Sequence, residues 1–208
     1  MLVICDNLFT VPLGSGKTEL CRQFQKAGFE VLDEGFMNMP SFPGIKPQSL
    51  IMESIWVSNW FQRLLQMQKD YQQSSGDSVM KKIFIADRSP YSAVYYAGKN
   101  GSLLEPLIRQ GIEDLREVNI QICTVLIRVE EELLWSRILD RITREPERVK
   151  YNEDSKEWMQ VTNSWYSKQE WDYVIENNSS TIPQLMEVLV QRLSSVNGKT
   201  NCHIKLIF

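Results

Sequence analysis

The stretch Val11-Pro12-Leu13-Gly14-Ser15-Gly16-Lys17-Thr18 decides how the rest of the chain is read. It carries the phosphate-loop pattern G-x-x-x-x-G-K-[ST], with Val11 in place of the first glycine. Small residues at Gly14, Ser15 and Gly16 let backbone N–H groups turn inward around an anion. Lys17 adds a point charge, and Thr18 offers a hydroxyl to a divalent cation. Leu20, Cys21 and Phe24 follow at helical spacing and predict a helix whose N-terminus faces the phosphates. Leu2 to Cys5 reads as a buried strand ahead of the loop. A G-S-G-K-T run arises by chance in loops, but between an apolar strand and a helix chance is the minority explanation.

Outward from that stretch, strands and helices alternate. Phe29 to Leu32 predicts a second strand, followed by Asp33-Glu34-Gly35 and a loop punctuated by Pro40, Pro43 and Pro47. Ile51, Ile55, Trp56, Trp60, Leu64 and Met67 predict a long helix from Ser49 to about Tyr71. Lys82 to Ala86 is the next strand and runs into Asp87-Arg88-Ser89-Pro90. There Ser89 suits an N-cap and Pro90 the first turn of a helix. Gly98 to Gly101 interrupts, and Leu103, Leu104, Leu107, Ile108 and Ile112 mark another helix. A strand over Ile120–Val129, a helix over Glu130–Arg141, an aromatic helix over Trp158–Trp171 and a strand over Tyr173–Asn177 come next. A final amphipathic helix covers Ile182–Leu193. The expected fold is a three-layer α/β domain. A central parallel sheet of about five strands carries helices on both faces, with ligands at the carboxyl ends of the strands. Residues 1–196 form the single domain of this reading, and 197–208 a tail.

Composition narrows the functional classes. The 208 residues carry a net charge of −3, with 43% apolar and 24% charged residues. That balance suits a globular enzyme and calls for no nucleic acid partner. No apolar run is long enough to span a membrane and no leader pattern appears, so the expectation is a cytoplasmic protein without membrane association. Cys5, Cys21, Cys123 and Cys202 are scattered and read as reduced thiols. His203 is the only histidine, which argues against a serine–histidine triad, a histidine-based metal hydrolase or a phosphohistidine carrier. The chemistry must rest on carboxylates, Arg, Lys and a bound metal.

Three groups follow predicted strands: Lys17 with Thr18, Asp33 with Glu34, and Asp87-Arg88-Ser89. Phosphoryl transfer needs cationic donors, a carboxylate for Mg²⁺ or its waters, and often a carboxylate that takes the nucleophile's proton. Lys17 and Arg88 supply charge, Thr18 and Asp87 suit the metal, and Glu34 suits the base. Arg137, Arg141, Arg144 and Arg148 form a fourth group. The first three recur at helical spacing. Read blandly, they are a solvated face partnered by Glu145 and Glu147. Read functionally, they are a lid whose guanidinium forks close over phosphates and exclude water, and the lid is the expectation because no other region offers such a cluster.

The order G-S-G-K-T, E-V-L-D-E, I-F-I-A-D-R-S-P-Y-S-A-V-Y-Y-A and V-L-I-R-V-E-E-E-L-L-W-S-R-I-L-D-R-I-T-R-E-P-E-R resembles the deoxynucleoside kinase family and, more loosely, thymidylate kinase. The resemblance covers roughly Gly14 to Trp171. It implies ATP and Mg²⁺ as cofactors, with Gly14, Ser15, Gly16, Lys17, Thr18 and Arg137 on the nucleotide. It also implies Glu34 as general base, Arg88, Arg141 and Arg144 as catalytic cations beside Lys17, and Asp87 as a metal ligand. Three departures stand out. Val11 replaces a glycine, Gly35 stands where the family usually has proline, and a base-reading glutamine on the long helix has no clear equivalent. Glu53 lies near that place, and with Trp56, Asn59 and Tyr91 it is a candidate for the substrate pocket, although tryptophans at helical spacing are more often core. The acceptor is then a nucleoside 5′-hydroxyl. The alternatives are a nucleoside monophosphate, or a weakened nucleotide-binding protein in which Val11 spoils the loop. Homodimerisation is left open.

Overall fold

The computed structural model describes residues 2–6, 17–33, 35, 39–75, 83–178, 183, 184, 186–189 and 191; at 2–6, 17, 18, 74, 75, 147, 150 and 151 it gives the backbone alone. Val11, Gly14, Ser15, Gly16 and Glu34 therefore lie outside the described residues, as do the side chains of Lys17 and Thr18 and the segment 192–208. The chain divides into two compact units. One holds Met1–Cys5 with Leu32–Cys123, the other Asp6–Val31 with Thr124–Phe208.

In the first unit, β1 (Leu2–Asp6) and β3 (Ile83–Ala86) pair in parallel, with Leu2 opposite Ile83 and Cys5 opposite Ala86. All four residues of β3 are buried, the uniform pattern of a strand covered on both faces. β2 (Glu30–Leu32) ends at Leu32, whose carbonyl accepts a hydrogen bond from the Asp87 amide at 2.7 Å. The chain leaving β2 therefore runs beside the chain leaving β3.

The long helix is α2 (Leu50–Ser75), which starts one residue later than the spacing predicts and ends four residues later, because polar, helix-compatible residues continue past Tyr71. Trp56, Val57, Trp60 and Leu64 put its apolar stripe into a core shared with Leu32, Phe84, Ala93 and Ile108. The segment after β3 departs from expectation in detail. α3 (Ser92–Tyr96) starts three residues past Ser89, and its N-cap residue, Tyr91, makes no side-chain capping bond. The Ser89 hydroxyl instead accepts from the Tyr91 amide at 3.2 Å, while its carbonyl accepts from the Ser92 hydroxyl at 2.9 Å. Ser89 thus closes a turn rather than capping a helix. The glycine-bearing interruption is a 3₁₀ turn, Gly98–Leu103. A Cβ at Gly101 would meet the Val94 carbonyl oxygen at 1.8 Å, so glycine is needed for this close approach. α4 (Glu105–Glu117) buries Ile108, Ile112 and Leu115, with Leu104 buried just ahead of it, and exposes Leu107.

In the second unit, α1 (Lys17–Lys26) buries Leu20, Cys21 and Phe24, and Phe24 meets Phe29 edge-on. The strand β4 (Gln121–Arg128), which belongs to this unit from Thr124 on, runs parallel to β5 (Tyr173–Glu176), with Val125 opposite Tyr173 and Arg128 opposite Glu176. Asp172 ties the two strands together: its carboxylate accepts from the Thr124 amide at 2.7 Å and hydroxyl at 2.8 Å. α5 (Glu131–Arg144) runs three residues past the expected end and passes into a 3₁₀ turn, Pro146–Tyr151. The aromatic helix α6 (Lys156–Ser167) starts earlier than expected because Ser155 caps it, accepting from the Trp158 amide. Trp171 lies beyond that helix, stacked on Tyr166 with its indole N–H on the Tyr166 carbonyl. Residues 183, 184, 186–189 and 191 are helical, as the final apolar periodicity predicts.

Candidate functional site

Within the first unit, two of the strand-end groups come together in part. β2 and β3 end side by side through the Leu32–Asp87 bond, which brings Asp33 and the Asp87-Arg88-Ser89 segment to one sheet edge. Asp87 is buried, a position a carboxylate holds only with partners or a cation near it. Among the described residues no group of three or more His, Cys, Asp or Glu could hold a metal ion. A magnesium ion on a nucleotide needs no such group. It keeps water and phosphate oxygens as ligands and uses one or two protein carboxylates, so Asp87 fits it.

Arg88 is the centre of the cluster. It is 6% exposed, and its guanidinium lies 4.8 Å from the centre of the Tyr96 ring and 5.5 Å from that of Trp56. Such stacking suits a desolvated, planar cation. Its carbonyl accepts from the Trp60 indole N–H at 2.8 Å. The α2 helix supplies Glu53, Trp56 and Trp60 at i, i+3 and i+7, so they share the face turned to the core. Glu53 is 1% exposed, and neither of its carboxyl oxygens receives a hydrogen bond from the described residues. Burial pushes its pKa up to about 7, against the opposing pull of the Arg88 charge.

The other two pocket candidates separate. Asn59 sits on the exposed side of α2 with its amide near the Met39 sulfur at 3.7 Å. Tyr91 is half-buried against the core, and burial raises its pKa. Two residues that the sequence reading passed over belong here. Tyr96 stacks on Arg88, and Arg63 clamps the loop after β2. Arg63 had a visible signal. At i+10 from Glu53 it falls on the same helical stripe, a charge where the pattern calls for an apolar residue.

The arginine-bearing segment belongs to the second unit. Arg137 donates to the Asn177 carbonyl at 3.3 Å. Arg141 donates to both carboxyl oxygens of Glu145, at 3.3 and 3.2 Å. Arg148 also bonds Glu145 and reaches Glu153 at 3.4 Å. Arg144 is largely exposed and pairs with Asp140 at 2.6 Å. The shared face is therefore uneven: Arg137 and Arg141 are partly buried and Arg144 is not. Burial lowers the pKa of both Arg137 and Arg141.

Among solved structures, deoxyadenosine kinase from M. mycoides, with the products dCMP and a flexible dCDP bound, is 16% identical and has a TM-score of 0.54. The match covers 93% of this chain and 98% of that one. That likeness shows the fold. A second structure of the M. mycoides enzyme, with dCTP, has a TM-score of 0.46 at 16% identity, covering 94% and 100% of the two chains. An uncharacterized protein from Eubacterium ventriosum ATCC 27560 has a TM-score of 0.44 at 9% identity, covering 93% and 97%. No family model and no curated protein sequence matches the chain. The chain thus has a mixed α/β, deoxynucleoside kinase-like fold with short parallel strands. No described helix is long and apolar enough to cross a membrane.

Proposed function

We propose that the chain transfers the γ-phosphoryl group of ATP to the 5′-hydroxyl of a nucleoside or deoxynucleoside, on a P-loop fold whose five strands form one parallel sheet. The observation that carries this reading is the edge where β2 and β3 end together. There Asp33 and Asp87 emerge side by side, and a buried arginine stacked on aromatic rings lies next along the chain. It is the arrangement a hydroxyl acceptor requires: a carboxylate to take a proton, a cation to steady the forming anion, and planar side chains for a base.

In this reading Glu34 accepts the hydroxyl proton as the oxygen attacks the γ-phosphorus, and the bond from that phosphorus to the β–γ bridging oxygen breaks to release ADP. Gly14, Ser15 and Gly16 cradle the phosphates by their amides. Lys17 neutralises the β/γ-phosphate charge, and Arg137, Arg141 and Arg144 close over the nucleotide. Thr18 and Asp87 hold the magnesium ion, which when bound spreads the charge of the β- and γ-phosphates. Arg88 supplies positive charge on the acceptor side. Glu53, Trp56, Tyr91 and, from the outer side of the helix, Asn59 contribute to the nucleoside pocket.

Transfer of labelled phosphate from ATP, screened across nucleosides and their monophosphates, tests the reading together with Glu34→Gln. Loss of a general base costs about 10²- to 10⁴-fold in kcat. A monophosphate acceptor is already ionised and needs no base. Labelled nucleoside monophosphate as product, abolished in Glu34→Gln, is the expected result. Turnover unaffected by Glu34→Gln transfers the reading to a monophosphate acceptor, and no product with any acceptor overturns it.

A further inference from the structure

Arg88 is held at two points, its backbone by one indole and its head by two rings. The Trp60 indole N–H of α2 donates to the Arg88 carbonyl at 2.8 Å. The guanidinium carbon lies 5.5 Å from the centre of the Trp56 ring, also on α2, and 4.8 Å from that of Tyr96, the last residue of α3. α3 is short, and packing fixes its place. Ala93 and Ala97 are buried in the core, and Gly101 comes so close to the Val94 carbonyl that no side chain fits between them. The Tyr96 ring is therefore carried on an anchored turn. Beside it, Glu53 is buried on the core face of α2. The charge of Arg88 reaches Glu53, yet neither carboxyl oxygen receives a hydrogen bond from the described residues. A buried arginine and a buried glutamate in each other's field ordinarily close a bidentate pair, because hydrogen-bonded contact offsets the desolvation of both charges. Here they do not, and the aromatic rings are what competes for the guanidinium. A ring face attracts the cation as a whole and leaves its N–H fork to point elsewhere.

We propose that Tyr96 is a positioning residue that holds the Arg88 guanidinium off Glu53 and directs its charge to the acceptor side of the site. The proposal rests on the role given above to Arg88. Trp56 shares the contact, but it belongs to the packed stripe of α2 and is itself a pocket candidate. Tyr96 is half-buried, lies nearer the guanidinium and has no other part in the reading. The ring face carries this action, not the phenol. Phenylalanine can therefore replace tyrosine, and an aliphatic side chain cannot. Without the ring, the guanidinium turns to the Glu53 carboxylate, and a catalytic cation displaced by about 1 Å loses on the order of 10²-fold in rate.

The test is steady-state transfer of labelled phosphate from ATP to the accepted nucleoside by Tyr96→Phe, Tyr96→Leu and Arg88→Lys, and by Tyr96→Leu in a Glu53→Gln background. Thermal melts set an assay temperature at which every variant is folded. Tyr96→Leu is expected to lower kcat about 10- to 100-fold and to leave KM for ATP within about twofold. Tyr96→Phe is expected to stay within about threefold of the wild type. Glu53→Gln removes the charge that captures a released guanidinium, so Tyr96→Leu should cost about tenfold or less in that background. Unchanged kcat in Tyr96→Leu while Arg88→Lys is impaired overturns this proposal and leaves the kinase reading standing. Tyr96→Phe as impaired as Tyr96→Leu, or the same loss with and without the Glu53 charge, also overturns it. Full turnover of Arg88→Lys overturns it too, since no oriented fork is then required. No product from the wild type with any acceptor sinks the underlying reading instead.

Discussion

Two regions of this molecule pair arginine with glutamate, and their carboxyl groups behave in opposite ways. In the first unit Glu53 lies beside Arg88, both buried; the guanidinium stacks on Trp56 and Tyr96, and neither Glu53 carboxyl oxygen receives a hydrogen bond from the described residues. Burial dominates there and raises the Glu53 pKa to about 7. In the second unit Glu145 meets Arg141 and Arg148 at an accessible helix end. Burial pushes its pKa upward as well, but the bonds and charges of the two arginines outweigh it and the net shift is downward. The residue types are the same. What differs is whether the guanidinium reaches the carboxylate in hydrogen-bonded geometry before desolvation takes its toll. In the second arrangement the ion pairs offset the burial of the carboxylate. The first is costly, because burial raises the Glu53 pKa against the pull of Arg88.

Removing the buried arginine should have the largest effect. Arg88→Met leaves Glu53 without its nearest opposite charge, and such a loss typically costs about 3–5 kcal/mol. Urea denaturation at pH 8 should show it, with the deficit shrinking below pH 5, where Glu53 is protonated in both variants. A deficit below about 0.5 kcal/mol at pH 8 would remove the contrast between the two regions.

The second effect concerns Glu53 itself. Its folded pKa is raised, so the native state resists ionisation while the unfolded chain ionises near the ordinary 4.5. Between about pH 4.5 and 7 the unfolded state binds fewer protons than the native state, and wild-type stability falls as pH rises. The displacement to about 7 corresponds to roughly 3 kcal/mol. Glu53→Gln cannot ionise and should escape this decline. Its stability relative to the wild type should rise across that window and level off above pH 7. Parallel stability–pH curves for the two proteins would count against a raised pKa.

How much of this was legible in the sequence follows from how local each signal is. The α2 stripe and the all-apolar β3 segment could be read because their periodicity is written in consecutive residues. The burial of Glu53 could not. A glutamate at i−3 from a tryptophan occupies a core or a surface position equally well in a spacing argument, and only the packing of α3 and its Tyr96 decides. Arg63 went unseen for a related reason. Its partner, Asp33, is 30 residues away, and the contact exists because the residue after β2 meets α2 in space. The arginine segment was anticipated with both of its readings. The described side chains favour the bland one in part, since Glu145 takes Arg141 and Arg148 and Asp140 takes Arg144. The helix cap at Ser89 failed because a proline at position 90 and a competing hydroxyl bond to Tyr91 close a turn before the helix begins.

The smallest effect belongs to Glu145, and its sign is what sharpens the contrast. Its folded pKa is lowered, so its stabilising contribution is present above the ordinary carboxylate range and is lost as pH falls. The side chain is 36% exposed, and solvent screens both ion pairs, so Glu145→Gln should cost about 1 kcal/mol or less at pH 7. That difference should close on acidification toward pH 3 and diminish in high salt, because accessible charges are screened over short distances. Acidification thus closes the gap for Glu145→Gln because the wild type loses stability, and closes the gap for Glu53→Gln because the wild type gains it. A Glu145→Gln variant that is more stable than the wild type at pH 7 would place Glu145 in the same class as Glu53. It would mean that desolvation of the carboxylate outweighs the bonds and charges of both arginines.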